Sequence, residues 1–102
     1  VVGVYAVSFE IGSDSSYIGR YISFVDQLRL KGKMWDETTG FALVETDETL
    51  RGFQHRLYSK SRFDAEKDKL FVVDVTERSC ITRGAFVMPV TLKSIMPKAD
   101  QR

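Results

Sequence analysis

Glu10 is the carboxylate best placed for chemistry. It closes the stretch Val4–Ile11, in which bulky Tyr5, Val7, Phe9 and Ile11 alternate with Val4, Ala6, Ser8 and Glu10. Period-two alternation rich in β-branched and aromatic residues marks a strand. A carboxylate at the end of such a strand is either solvated or a ligand for a hard cation. Mg2+ takes one or two carboxylates, keeps several waters, and can activate one of them against a phosphodiester.

A second candidate is cationic. Arg51, His55, Arg56, Lys60 and Arg62 form a basic run, of which Arg51, Arg56 and Lys60 are the expected phosphate contacts. Most such runs are solvated faces. His55 is the single histidine and has no second His or Cys at ligand spacing, so neither a zinc site nor a nucleophile–His pair is expected. Cys80 is the single cysteine. That rules out an intrachain disulfide and a Cys-based zinc cluster, and its apolar neighbour Ile81 points to an inert, buried thiol. Gly12-Ser13-Asp14-Ser15-Ser16 lacks P-loop or dinucleotide spacing. Trp35, Tyr17, Tyr21 and Tyr58 have rings able to stack on bases, but each is equally a core or interface residue.

The elements that must position these groups are legible in outline. After the first strand, the Gly-Ser-Asp-Ser-Ser loop offers an N-cap. Tyr17, Ile18, Tyr21, Ile22, Val25 and Leu28 then recur as the stripe of an amphipathic helix, with Gly32 as a left-handed closure. Lys33–Glu45 reads as extended chain bent at Thr38-Thr39-Gly40, and Phe41–Val44 is continuously apolar. Thr46 or Asp47 caps a second helix with Leu50, Phe53 and Leu57 inside and Arg51, His55, Arg56 and Lys60 outside. Leu70–Val75 is another strand, Ser79–Thr82 a short fifth, and Pro89 opens a last helical turn through Leu92 and Met96.

The order strand, helix, strand, strand, helix, strand predicts an α+β, ferredoxin-like βαββαβ sandwich with a short C-terminal extra strand or helix. In that arrangement the first strand is central. Asp74 should then lie near Ala6, and Asp68 becomes the better neighbour for the end of the first strand. The helices occupy one face of the sheet, yet Val4, Ala6, Ala42 or Leu43, Val44 and Val72 leave apolar surface on the other. The expected cover is a second copy of the chain, making this face a homodimer interface, with Glu10 of both copies converging on a shared Mg2+; the alternative, for a monomer, is the segment after Thr76.

Composition agrees with one globular domain over residues 1–96 and a polar tail over 97–102. The 102 residues are 43% hydrophobic and 28% charged, which excludes a disordered or fibrous chain. No apolar run approaches the ~18 residues of a membrane span, and no secretory signal pattern opens the chain, so a cytoplasmic protein without membrane contact is expected. The net charge of +1 conceals an asymmetry. Residues 1–50 carry 4 basic and 8 acidic side chains, net −4, and residues 51–102 carry 11 basic and 6 acidic, net +5. A basic second half favours a phosphate-bearing partner.

Tyr5-Ala6-Val7-Ser8-Phe9-Glu10-Ile11 resembles the opening strand of the small CRISPR-adaptation subunit superfamily, which includes the toxin ribonuclease virulence-associated protein D. Members open with an aromatic residue, an apolar run and an aromatic–Asp–aliphatic triplet, here Phe9-Glu10-Ile11. The similarity runs on through Gly32, Trp35 and Thr39, through Val44-Glu45-Thr46-Asp47, and through Lys67-Asp68-Lys69-Leu70-Phe71-Val72-Val73. The resemblance implies a ferredoxin-like fold, a symmetric homodimer with packed sheets, and a metal-binding carboxylate at Glu10. Here glutamate replaces the family aspartate. It keeps the carboxylate but is one methylene longer, so a tightly positioned metal would move. The expectation is a dimeric nucleic-acid-associated protein, DNA or RNA, with Mg2+-dependent nuclease action resting on Glu10. The competing expectation is a non-catalytic scaffold that binds DNA or another protein of a defence or toxin operon. A small-molecule-binding regulator is a third class the fold also hosts.

Overall fold

β1, Gly3–Glu10, runs through the middle of the sheet, and everything else is arranged around it. The computed structural model describes residues 2–78 and 80–101. The elements follow as α1 (Tyr17–Arg29), β2 (Lys33–Trp35), β3 (Phe41–Thr46), α2 (Leu50–Ser59), β4 (Lys69–Asp74), β5 (Ile81–Thr82), α3 (Pro89–Ile95) and β6 (Asp100–Gln101). The principal sheet is four-stranded, antiparallel and ordered β2-β3-β1-β4. This α+β order is compatible with a ferredoxin-like fold. Ser79, the expected start of the fifth strand, lies outside the described residues.

The register fixes which residues share a face. Ser8 pairs with Phe41 on one side and Phe71 on the other, and Ala6 pairs with Leu43 and Val73. Cross-strand partners point to the same side, so these six form two rows on the face away from α1 and α2. Ala42, Val44 and Val72 instead face the helices, where they meet Tyr5, Val7, Phe24, Leu28, Phe53 and Leu57. The expectation that Val44 and Val72 lie on the open face is therefore off by one residue in each strand. A run apolar on both faces carries no alternation to fix its phase.

Val25 and Leu28 of α1 and Phe53 and Leu57 of α2 are buried as expected, but each helix also buries an arginine. On α1 the inner positions are Arg20, Phe24, Val25 and Leu28, while Ile18 and Ile22 are exposed. On α2 they are Phe53, Arg56 and Leu57, and Leu50 is exposed. Thr49, not Thr46 or Asp47, caps α2, its hydroxyl accepting from the Gly52 N–H at 3.0 Å. Gly32 has a φ of +73°, and a Cβ there would meet the Glu45 carbonyl oxygen at 1.8 Å, so the turn into β2 admits only glycine.

A second core lies on the far face of the sheet. Val4, Trp35 and Leu43 pack there against Leu92, Ile95, Met96 and Ala99. The chain's own C-terminal segment thus covers the β2–β3 side of the face for which a second copy was expected. Glu37, between β2 and β3, holds that segment in place. Its carboxylate accepts the backbone N–H groups of Val87 and of Met88, the latter at 2.6 Å. The stretch expected as a polar tail supplies buried Ala99, and Asp100–Gln101 pair with β5 in parallel. Trp35 stacks on Phe86 with centroids 5.8 Å apart, and its buried Nε1 has no hydrogen-bond partner among the described residues.

Candidate functional site

What α3 leaves uncovered is the β1–β4 side of the same face. Phe71 is 67% exposed and Val73 39%. Between them and the covered half run the small residues Ala6 and Ser8 of β1, so the central strand forms the floor of a trough with larger side chains on both flanks. At its Glu10 end this opens into a surface groove of about 500 Å3, lined among others by Ser8, Glu10, Thr39, Gly40, Lys69 and Phe71. The β2–β3 loop is held at this rim by the Phe9 N–H, which donates to the Gly40 carbonyl at 2.9 Å. Gly40 has a φ of +67°, a conformation that glycine adopts without strain.

Glu10 ends β1 on the open face, as period-two counting requires, and is opposite Lys69 of β4. The Lys69 ammonium lies 3.8 Å from the Glu10 carboxylate, and both side chains are largely in solvent. Among the described residues no second carboxylate lines this groove, and no group of three or more His, Cys, Asp or Glu side chains could hold a metal ion. One chain therefore offers Mg2+ a single carboxylate beside a cation. Glu10 would be the residue to hold such an ion, with water or substrate oxygens completing the shell.

The other expected residues separate into two kinds. Arg51 and Lys60, at the two ends of α2, are exposed and make no ion pair among the described residues. Nine residues of helix set them roughly 14 Å apart along the axis. Arg56 is buried. Its guanidinium donates to both carboxylate oxygens of Glu48, at 2.7 and 2.8 Å, and to the Gln27 carbonyl, and it lies 5.6 Å from the Phe53 ring centre. Its donors are thus spent on joining α2 to α1 and to the β3–α2 turn. The Arg56 guanidinium holds the Glu48 carboxyl below its ordinary pKa against the opposing pull of burial. His55 is exposed, and Cys80 is half-buried with its thiol pKa pushed up by burial.

Asp68 does neighbour the end of β1. Its Oδ1 accepts the Gly12 N–H at 2.8 Å and its Oδ2 the Asp64 N–H at 2.9 Å, and Arg20 completes the cluster. Sequence reading missed the exposure of Phe71. The signal was parity: Phe71 is two residues from Lys69, so it shares a face with whatever pairs with Glu10. Comparison with family models, with curated proteins and with solved structures gives no match for this chain. Among the described residues no helix is long and apolar enough to cross a membrane.

Proposed function

We propose that the protein is a nucleic-acid-associated module that holds the phosphate backbone through the exposed cations at the two ends of α2. The observation that carries this reading is the pair Arg51 and Lys60, exposed cations without acidic partners among the described residues, in the half of the chain with 11 basic and 6 acidic residues. Affinity for a generic duplex should fall steeply as salt rises, because each neutralised phosphate releases counterions. Arg51→Ala and Lys60→Ala should each lower the slope of log K against log salt by about one. A slope that neither substitution changes removes these residues from the interface.

Catalysis is a separate proposal, tested separately. Cleavage of RNA and duplex DNA is compared with and without Mg2+ for the wild type and Glu10→Ala. Mg2+-dependent cleavage abolished by the substitution makes Glu10 a catalytic residue. Cleavage that survives it unchanged rejects that role.

A second reading is a non-catalytic homodimer or protein-binding scaffold, favoured by the exposure of Phe71 and Val73 on the uncovered strip. Light scattering at micromolar concentration distinguishes it, since a dimer has twice the 11.6 kDa chain mass.

A further inference from the structure

We infer that the free edge of β4 pairs antiparallel with β4 of a second copy, joining two four-stranded sheets into one continuous sheet. This rests on the homodimer of the second reading above, names its interface, and is independent of nucleic-acid binding. The sheet treats its two edges differently. β2 is three residues long, and its Trp35 lies in the core closed by α3. β4 has six residues and neighbours only β1. Its sequence Lys-Leu-Phe-Val-Val-Asp has no proline and no charge between its ends. Shortness, proline and mid-strand charge are the devices by which edge strands refuse a partner, and β4 has none of them.

What selects a second copy is that this edge complements itself. The Val75 N–H donates to the Val4 carbonyl at 2.7 Å. A residue's N–H and C=O leave a strand on one side and its neighbour's on the other. Lys69, Phe71 and Val73 therefore bond to β1, while Leu70, Val72 and Asp74 present theirs outward. No described hydrogen bond takes up those outward backbone groups. A two-fold axis perpendicular to the sheet through Val72 sets Val72 opposite itself and Leu70 opposite Asp74 of the second copy, so every outward donor meets an acceptor. The same axis sets Phe71, 67% exposed, opposite Val73 of the second copy, 39% exposed. That is a non-hydrogen-bonded pair, in which side chains approach closest. Centring on Phe71 leaves Asp74 unmatched, and centring on Val73 leaves Leu70 unmatched. Charge agrees with the antiparallel sense. Exposed Lys67 and Lys69 stand at the entry to β4 and exposed Asp74 and Glu77 at its exit, so the basic end of one copy runs beside the acidic end of the other. The axis also keeps each face on its own side. Both α2 helices, with Arg51 and Lys60 at their ends, thus lie on one side of the joined sheet.

The test combines light scattering from micromolar to millimolar concentration with a cross-link that reads the register. In a Cys80→Ser background, Phe71→Cys and Val73→Cys are oxidised separately and as an equal mixture. Phe71 and Val73 are exposed, so both variants should fold, and circular dichroism checks this. In the proposed register, positions 71 and 73 of opposite copies have Cα atoms about 4.5 Å apart, within disulfide reach. Position 71 and its own counterpart are diagonal neighbours about 7–8 Å apart, beyond it. The expected result is a disulfide-linked dimer from the mixture and none from either variant alone. Val72→Pro removes the outward N–H on the axis without breaking a β1–β4 bond, and should be a folded monomer. If Val72→Pro does not fold, the cross-link decides. Cross-linking of either variant alone, a folded Val72→Pro dimer, or a wild-type dimer whose mixture does not cross-link overturns the edge pairing and leaves a dimer built on another surface. A wild type monomeric at every concentration overturns both the edge pairing and the homodimer, and leaves the nucleic-acid reading intact.

Discussion

Arg20 of α1 and Asp68, one residue ahead of β4, form an ion pair whose two side chains are both closed off from solvent. Arg20 distributes its remaining donors over three more groups. They are the Gly12 carbonyl at 2.8 Å, Asp14 at 2.9 Å and the Ser16 hydroxyl at 2.9 Å. The end of β1, the start of α1 and the entry to β4 are thereby tied at one point, beneath the rim that carries Glu10 and Lys69. Removing one partner of a buried pair strands the other charge. Asp68→Ala should therefore destabilise the fold by about 3 kcal/mol, read as a lower urea midpoint.

The same cluster sets an acid limit. Burial alone would raise the Asp68 carboxyl pKa, but the Asp64 N–H, the Arg20 guanidinium and the Gly12 N–H together hold it below the ordinary value. Arg56 does the same for Glu48. A carboxyl with a depressed folded pKa contributes stability that is fully present above its unfolded value, about 3.9 for Asp and 4.3 for Glu. That contribution is lost as pH falls through the folded value. Denaturation profiles should be flat in these terms from pH 7 to about 5 and then decline towards pH 2. Asp68→Asn should shrink the decline.

Arg56 and the two exposed cations of α2 should separate cleanly by experiment. Arg56→Lys keeps the charge but loses the fork that spans Glu48 while reaching Gln27. It should cost about 1–3 kcal/mol in thermal or urea melts. Arg51→Ala and Lys60→Ala, which break no ion pair among the described residues, should stay within about 0.5 kcal/mol of wild type. Their effect belongs in the salt dependence of binding.

The C-terminal cover can be read through one chromophore. Trp35 is the single tryptophan and lies beneath Phe86 and the α3 core residues. Leu92→Ala, at a position 1% exposed, should cost about 2–5 kcal/mol. Ending the chain at Thr76 should shift Trp35 emission to the red and produce self-association, since Val4, Trp35 and Leu43 are then bare. Unchanged emission would place Trp35 outside the α3 core.

How far the sequence spoke for this fold depended on the kind of signal. β1 was legible to the residue in face and nearly in extent, because strict alternation has one phase. From the placement of β1 at the centre followed the neighbourhood of Asp68, a long-range relation that the described hydrogen bonds bear out. The helices were legible as helices and at Val25, Leu28, Phe53 and Leu57 of their inner faces, but not in the rest of those faces. Ile18 and Ile22 looked like core, and Arg56 looked like surface. A hydrophobicity pattern cannot anticipate a guanidinium drawn inward by a carboxylate outside its own helix, whether Asp68, 48 residues from Arg20, or Glu48 in the turn ahead of α2. The cover of the open face was read first as a second copy, with the segment after Thr76 only as the alternative. Leu92, Ile95, Met96 and Ala99 were visible as apolar, but not the contact of Glu37 with the backbone at Val87 and Met88 that directs them to Trp35 rather than to solvent.

The two faces of the sheet are closed by different stretches of the polypeptide, and translation delivers those stretches at different times. α1 and α2 are interleaved with the strands they cover, so the first core can assemble from residues 5–72. The second needs Phe86, Leu92, Ile95, Met96 and Ala99. At about 5–20 residues per second, roughly one to five seconds separate β4 from the segment that shields Trp35. During that interval Val4, Trp35 and Leu43 join Phe71 and Val73 in one continuous apolar surface on a nascent chain. This is the moment at which holding factors or neighbouring copies have most to bind. After α3 docks, the Phe71–Val73 strip of this face remains open to them.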